Sequence, residues 1–131
     1  MNILNGTIQK ITKIDSLVLL EIAVGQYTFS SLVLESNDSN EYTILDNVNI
    51  IFKETEVMIA TKESIVSARN SFISPILDIE MGKLLCNITF NFDIYKINSI
   101  ITKSAIQELQ CNINDNFKWF IKSNEVIVQK I

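Results

Sequence analysis

The sequence predicts a mainly β protein that consists of two tandem five-stranded barrels, each with at most one short helix. The first observation is an internal repeat, in which apolar positions keep step over roughly 60 residues. At an offset of 68 residues Tyr27 falls on Tyr95, and after a one-residue adjustment Lys53 falls on Lys122. The second observation is that β-branched and aromatic residues alternate with polar ones in short runs that end at Gly, Asn, Asp or Ser.

Five strands are predicted in each copy of the repeat. In the first copy they lie at about 3–13, 16–24, 27–35, 47–53 and 57–61, and in the second at about 73–80, 84–92, 94–102, 116–122 and 125–130. Gly25 with Gln26, and Asp93, form the predicted turns between the second and third strands. Pro75 predicts an edge or a bulge at the start of the second barrel, because proline cannot donate to a central ladder.

One segment in each copy breaks the strand pattern. In the second copy, residues 104–109 have apolar side chains spaced for a short helix, with Thr102 or Ser104 as its cap. The equivalent stretch of the first copy, 36–41, is too polar and turn-prone to predict a helix. Five short strands with a helix between the third and fourth is the plan of an oligonucleotide/oligosaccharide-binding (OB) barrel. We therefore expect OB-like barrels at residues 1–64 and 65–131.

The residues that join the two copies predict a tight arrangement. Residues 62–66 contain neither Gly nor Pro and alternate polar with apolar side chains, which is not typical of a flexible linker. The two barrels are therefore expected to pack directly against each other.

The composition excludes several classes of function. The 131 residues include no histidine, so the commonest general base and the commonest transition-metal ligand are both missing. A net charge of −4 with scattered lysines argues against a nucleic-acid partner. No apolar run approaches a membrane span and the first residues lack a signal-peptide pattern, so a cytoplasmic location without membrane contact is expected. Cys86 and Cys111 are predicted to be reduced thiols in or near the core.

Four motifs of the chain are informative in combination. They are Ser67-Ala68-Arg69-Asn70 before an apolar strand, Ile100-Ile101-Thr102, Ala105-Ile106-Gln107-Glu108-Leu109 and Ile121-Lys122-Ser123-Asn124-Glu125-Val126, with Asn5-Gly6-Thr7-Ile8 and residues 52–60 as the matching pieces of the first copy. Together they cover nearly the whole chain. In this combination the chain resembles the molybdate-binding Mop or molbindin domains, also called transport-associated OB (TOBE) domains.

The resemblance implies a tandem molbindin that binds molybdate or tungstate at interfaces between barrels or subunits, for buffering, storage or delivery. The chain is also similar to the effector half of molybdate-responsive regulators. A homo-oligomer is implied, with a trimer favoured over a dimer, and a molybdate transporter ATPase is a further implied partner. The resemblance implies binding and no enzymatic activity. No separate cofactor is expected, because the ligand itself contains the metal.

The residues expected to bind the oxyanion are donors of hydrogen bonds or carriers of positive charge. A tetrahedral dianion that leaves water needs many such donors and few carboxylates nearby. Arg69 offers a rigid fork of N–H groups, and Lys122 or Lys53 offers a point charge at the end of a strand. The complete predicted set is Ser67, Ala68, Arg69, Thr102, Ser104, Lys122, Ser123 and Lys53.

Each of these residues also has a structural interpretation that involves no ligand. For Arg69 the alternative is an ion pair between the barrels, and for the two lysines it is a solvated strand end. For Thr102 and Ser104 the alternative is simple helix capping. Three aromatic residues suggest either base stacking or, as their alternation with polar residues favours, core packing; they are Trp119, Phe117 and Tyr95.

The chain also departs from the family pattern. Leu34 stands where the first copy would need a threonine, and Ala105 stands three residues after Thr102, where the family places a hydroxyl. No Ser-Ala-Arg-Asn motif precedes the first copy. The alternative function is therefore a Mop pair that docks to a transporter ATPase or a regulator and binds little or no oxyanion.

Overall fold

A computed structural model describes residues 1–34 and 42–131. These residues form ten β-strands and one α-helix. The strands are β1 (Asn2–Ile14), β2 (Leu17–Val24), β3 (Tyr27–Leu34), β4 (Asn47–Phe52), β5 (Met58–Thr61), β6 (Asn70–Met81), β7 (Leu85–Phe92), β8 (Tyr95–Thr102), β9 (Asn116–Ile121) and β10 (Ile127–Lys130), and the helix α1 is Lys103–Leu109. Two single 3₁₀ turns, which we call the first and second 3₁₀ turn, lie at Glu54–Glu56 and Ser123–Glu125.

The ten strands form two five-stranded sheets that exchange their last strands. The first sheet has the order β10-β4-β1-β2-β3, and the second has the order β5-β9-β6-β7-β8. In the first sheet Ile127 pairs with Ile51, and in the second Met58 pairs with Phe120. Each copy of the repeat therefore contributes its final strand to the sheet of the other copy.

In the central strands, buried apolar residues alternate with more exposed ones, as a half-buried sheet requires. Along β2, alternate residues are buried, and they are Val18, Leu20, Ile22 and Val24. Because side chains point to opposite faces at successive positions, this spacing places one apolar row in the core. The turns that follow β2 and β7 contain left-handed residues, Gly25 with φ 58° and Asp93 with φ 55°. Both turns lie where the sequence predicts them.

A bulge bends the long first strand of each sheet. The register shifts between Ile8 and Lys10 in β1 and between Ile76 and Asp78 in β6. Such an extra residue increases the local twist and helps a sheet to curl. Pro75 lies next to the second bulge and pairs with Asn116 on β9.

Aromatic side chains from both copies share one core. Phe29 of the first sheet contacts Phe72 of the second with ring centroids 4.7 Å apart, and Phe52 stacks on Trp119 at 6.1 Å. Trp119 is fully buried and donates its indole N–H to the Ser74 hydroxyl at 3.0 Å. The prediction that Trp119 belongs to the core is therefore confirmed, and its ring is not available for base stacking.

The predicted elements agree closely with the observed ones. All ten strands and the short helix are present within a few residues of their predicted bounds. Cys86 and Cys111 are both free and buried, as predicted. The predicted polar stretch 36–41 lies outside the described residues. The barrel boundary between residues 64 and 65 follows the repeat, whereas the hydrogen bonds of β5 and β10 connect the two copies across it.

Within the described ranges, no helix has the length and apolar character needed to cross a membrane.

Candidate functional site

Two buried asparagines join the sheets at positions that the internal repeat makes equivalent. Asn70 accepts a hydrogen bond from the Ser30 backbone N–H at 2.7 Å and donates one to the Ser30 carbonyl at 2.9 Å. Asn2 makes the same pair of bonds with Asn98, at 2.8 and 2.9 Å. We call these places the Asn70 junction and the Asn2 junction. Each amide satisfies both backbone groups of one residue on a terminal strand, β3 or β8.

Two buried serines reinforce the junctions. The Ser31 hydroxyl donates to the Val126 carbonyl, and the Ser99 hydroxyl donates to the Val57 carbonyl, each at 2.7 Å. These bonds tie each 3₁₀ turn to the terminal strand of the opposite sheet. The backbone around both junctions is therefore held in the same way.

The Asn70 junction gathers three of the predicted site residues. Asn70 pairs with Ile121 at the end of the β6–β9 ladder, so Arg69 and Lys122 lie opposite each other one residue further along. The Ser123 hydroxyl is hydrogen-bonded to the Ser30 hydroxyl. Both cationic side chains are exposed to solvent. The junction thus presents a guanidinium, an ammonium group and a hydroxyl at one end of the second sheet.

Cations outnumber carboxylates in the segments that form this corner, where Glu63 precedes the first segment and Glu125 ends the second 3₁₀ turn. Residues 64–77 and 116–124 include Arg69, Lys118 and Lys122 but no Asp or Glu. The Lys118 ammonium donates to the Ser64 carbonyl and so ties the joining segment to β9. In a chain with a net charge of −4, this is a local concentration of positive charge suited to a small anion.

Arg69 retains most of its hydrogen-bonding capacity. Its one hydrogen bond within the described residues runs from Nη2 to the Val66 carbonyl at 3.5 Å, which is long. It forms no ion pair with any acidic residue that the structure describes, in contrast to the alternative of an ion pair between the barrels. The guanidinium is therefore available to a ligand.

Thr102 and Ser104 lie far from the Asn70 junction in the folded molecule. Asn70 begins β6 and Met81 ends it, and Thr102 lies beyond that far end, paired with Leu85. The Thr102 hydroxyl oxygen caps α1 by accepting from the Ala105 N–H at 3.1 Å. The two hydroxyl residues line an open cavity of about 720 Å³ together with Lys83, Leu84, Leu85, Lys103 and Gln107.

The Asn2 junction has a different set of side chains. Glu54 occupies the position equivalent to Ser123, and its carboxylate contacts the N-terminal amine of Met1. That hydrogen bond lowers the pKa of the Glu54 carboxyl. Lys53, a predicted site residue, is exposed here and not beside Arg69. Leu34, at the position equivalent to Thr102, is 72% exposed.

The structure therefore brings together only part of the predicted set. Arg69, Lys122 and Ser123 all lie beside the Asn70 junction at one end of the second sheet, where Ser67 is exposed and Ala68 is buried in the preceding segment. The roles of all eight residues in binding stay predictions. The contributions of Asn70 and Ser30 were missed. A signal was present, since Asn2 falls on Asn70 at the same offset of 68 residues.

Comparisons with known proteins support the fold. No protein-family model matches the chain, and no curated protein sequence does so either. A crystal structure of the cytoplasmic molybdate-binding protein ModG, in a form with molybdate bound, is similar with a TM-score of 0.92. The two chains are 24% identical, and the match covers 99% of this chain and 96% of the other. This likeness confirms the predicted mainly β fold of two OB-like units.

Proposed function

We propose that the protein is a tandem molbindin that binds molybdate or tungstate reversibly, in the cytoplasm, for buffering, storage or delivery. The observation that carries the proposal is the Asn70 junction, where Arg69, Lys122 and Ser123 lie at one end of the second sheet and cations outnumber carboxylates. The fold shared with ModG, which is described as a cytoplasmic molybdate-binding protein, supports the same function. The proposed role is binding without catalysis.

The chemistry of the junction suits a dianion that only accepts hydrogen bonds. Arg69 supplies a planar fork of N–H groups, and Lys122 supplies a mobile ammonium group. Charge-assisted hydrogen bonds of this type are roughly twice as strong as neutral ones. Neither a metal ligand set nor a separate cofactor is needed, because the metal arrives inside the oxyanion. The described residues contain no cluster of three or more His, Cys, Asp or Glu side chains that could hold a metal ion.

The separation of the predicted residues favours sites between two copies of the chain. Thr102 and Ser104 lie beyond the end of β6 that is opposite Arg69. Within one copy of the chain, these hydroxyl residues and Arg69 therefore do not contribute to the same site. Because Thr102 uses its oxygen to cap α1, its hydroxyl proton is free to be donated to a ligand. Leu84 and Leu85 beside them are 80% and 55% exposed in a single copy, and such exposed apolar side chains are typical of a surface that a second copy buries. We propose a homo-oligomer, with a trimer favoured over a dimer.

A second function is favoured by the other junction. Glu54 and the exposed Leu34 replace donors that the second copy retains as Ser123 and Thr102. A Mop pair with few donors would act by docking to a molybdate transporter ATPase or to a regulator. Nucleic acid is not proposed as a partner, since Trp119 and Phe117 are buried.

Titration with molybdate, tungstate and sulfate, followed by calorimetry, tests the proposal. The wild-type protein is expected to show saturable binding of molybdate or tungstate. Arg69→Ala is expected to weaken that binding by at least about tenfold, the loss of one charge-assisted hydrogen bond worth ~1.5–3 kcal/mol. Lys96→Ala, which removes an exposed cation on β8, is the control and is expected to bind like wild type.

The two hypotheses give different results in this titration. Absence of saturable binding by the wild type contradicts the oxyanion function and favours the docking module. Wild-type binding that Arg69→Ala leaves unchanged contradicts the assignment of the site only.

A further inference from the structure

The internal repeat places a serine at one junction and a glutamate at the other on nearly identical backbones. The second 3₁₀ turn follows Lys122 with φ −66° and ψ 146°, and the first follows Lys53 with φ −77° and ψ 142°. Each turn closes with the same two backbone hydrogen bonds. In the second turn Glu125 donates to Lys122 at 3.0 Å and Val126 to Ser123 at 3.4 Å, and in the first Glu56 donates to Lys53 at 3.1 Å and Val57 to Glu54 at 3.3 Å. The two junctions therefore differ in their side chains and not in their framework.

Most other side chains around the turns are matched in charge. Lys53 corresponds to Lys122, and Glu56 corresponds to Glu125. These pairs contribute similar fields at the two junctions and do not distinguish them. The distinguishing pairs are Glu54 with Ser123 and Met1 with Arg69. The Asn2 junction thus carries a carboxylate one residue after its lysine, where the Asn70 junction carries a hydroxyl.

The contact with the Met1 amine fixes the position of the Glu54 side chain and favours its charged form. Its side chain is only 26% exposed and contacts the Met1 amine. Because the hydrogen bond from that amine lowers the pKa of the carboxyl, the group is ionised at neutral pH. A dianion approaching the Asn2 junction therefore meets a fixed carboxylate.

We infer that Glu54 excludes the oxyanion from the Asn2 junction, so that the two equivalent junctions of one chain differ in function and only the Asn70 junction binds. The inference rests on the proposed function. A like charge within a few ångströms of a bound dianion weakens binding by at least about tenfold even at a high effective dielectric. Glu54 thus acts at the Asn2 junction in two ways, because its carboxylate repels the dianion and it also holds the Met1 amine, the cation that falls on Arg69 in the repeat.

The test is calorimetric titration with molybdate on the full-length protein and three variants. Glu54→Ser, which copies the Asn70 junction, and Glu54→Gln, which keeps the shape and removes the charge, are each expected to add one further site per chain. Ser123→Glu, the reverse change, is expected to weaken wild-type binding by at least about tenfold. Glu56→Gln removes an exposed carboxylate from the same turn and is the matched control, with an unchanged number of sites.

The outcomes separate the inference from the proposed function. If the wild type binds but both Glu54 variants retain the wild-type number of sites, the inference is wrong and the proposed function stands. If neither the wild type nor the Glu54 variants bind, the proposed function fails and the inference fails with it. Circular dichroism spectra and thermal melting midpoints like those of wild type show that each variant is folded.

Discussion

Asn2 and Asn70 show how single residues determine the way the two sheets meet. Each asparagine is almost completely buried and supplies one acceptor and one donor to the backbone of a terminal strand. Terminal strands otherwise present unpaired N–H and C=O groups, which promote pairing with other chains. The asparagine amide replaces a neighbouring strand at this point. The position of Arg69 follows directly, because Arg69 precedes Asn70 in the chain.

At the same scale, Cys111 gives the protein a pH dependence at alkaline pH. Burial, with a smaller effect from the charge of Asp115, raises the pKa of the Cys111 thiol to about 11. In the unfolded chain the thiol has its ordinary pKa of ~8.5. The protonated thiol therefore stabilises the fold fully below that ordinary value, and this stabilisation is lost as the pH rises through the folded pKa.

The expected result is a steeper loss of stability for wild type than for Cys111→Ala between pH 8 and pH 11. A shift of this size corresponds to roughly 3 kcal/mol for a fully buried thiol, and solvent screening at this partly accessible site reduces the predicted difference in the free energy of unfolding to about 2 kcal/mol. Urea unfolding of both proteins at several pH values measures it, and lysine and tyrosine titration cancels in the comparison. Parallel pH profiles for the two proteins would contradict the assignment to Cys111.

The sequence predicts which residues are equivalent at the two junctions, but it does not predict their contacts. The match of Asn2 with Asn70 is visible in the sequence, as is the contrast between Glu54 and Ser123. Their contacts are not visible, because Ser30 lies 40 residues from Asn70 and Asn98 lies 96 residues from Asn2. Local periodicity carries no information about which distant backbone group a buried amide meets.

Among the elements, the short strands β5 and β10 have the largest effect on the architecture. Their existence follows from alternation in the sequence, and both were predicted. Their partners were not predicted, since a strand's neighbour depends on the direction in which the preceding 3₁₀ turn sends the chain. β10 pairs with β4 from Ile127 to Lys130, and Tyr42 donates its hydroxyl to the Val128 carbonyl at 3.0 Å. The end of the second copy thus completes the first sheet.

Removal of residues 127–131 tests this exchange. The truncated protein is expected to lose at least about 3 kcal/mol of unfolding free energy, from the burial of Val128 and the bond from Tyr42. In hydrogen exchange, the amides of β4 are expected to lose protection before those of β9, although β9 is nearer in sequence. Removal of Ile131 alone is the control, with a small expected change because its side chain is exposed and it contributes only one backbone hydrogen bond, to the Asn47 carbonyl at 3.3 Å.

The opposite order of exchange would contradict the strand exchange. Early loss of protection in β9, with β4 unchanged, would show that β10 stabilises the sheet of its own copy. Full retention of stability after the truncation would show that β10 contributes little to either sheet.

At the scale of the whole molecule, the two sheets share one core and present two unlike junctions. The contact between Phe29 and Phe72 and the stacking of Phe52 on Trp119 link the sheets, so neither sheet buries its aromatic side chains alone. The barrel plan could be predicted from strand number and the internal repeat. The proposed oxyanion site could be derived only in part, because Arg69 and Thr102 lie at opposite ends of β6 and the repeat does not show how two copies of the chain would meet.

The most direct test of the proposed site is the position of tungsten in crystals of the protein grown with tungstate. We expect one strong anomalous peak per chain, with tungstate oxygens within about 3 Å of the Arg69 guanidinium and the Lys122 ammonium group. Thr102 and Ser104 of a neighbouring copy are expected to complete the site, and no peak is expected beside Glu54. Tungsten bound away from Arg69, or no bound tungsten at saturating tungstate, would contradict the account.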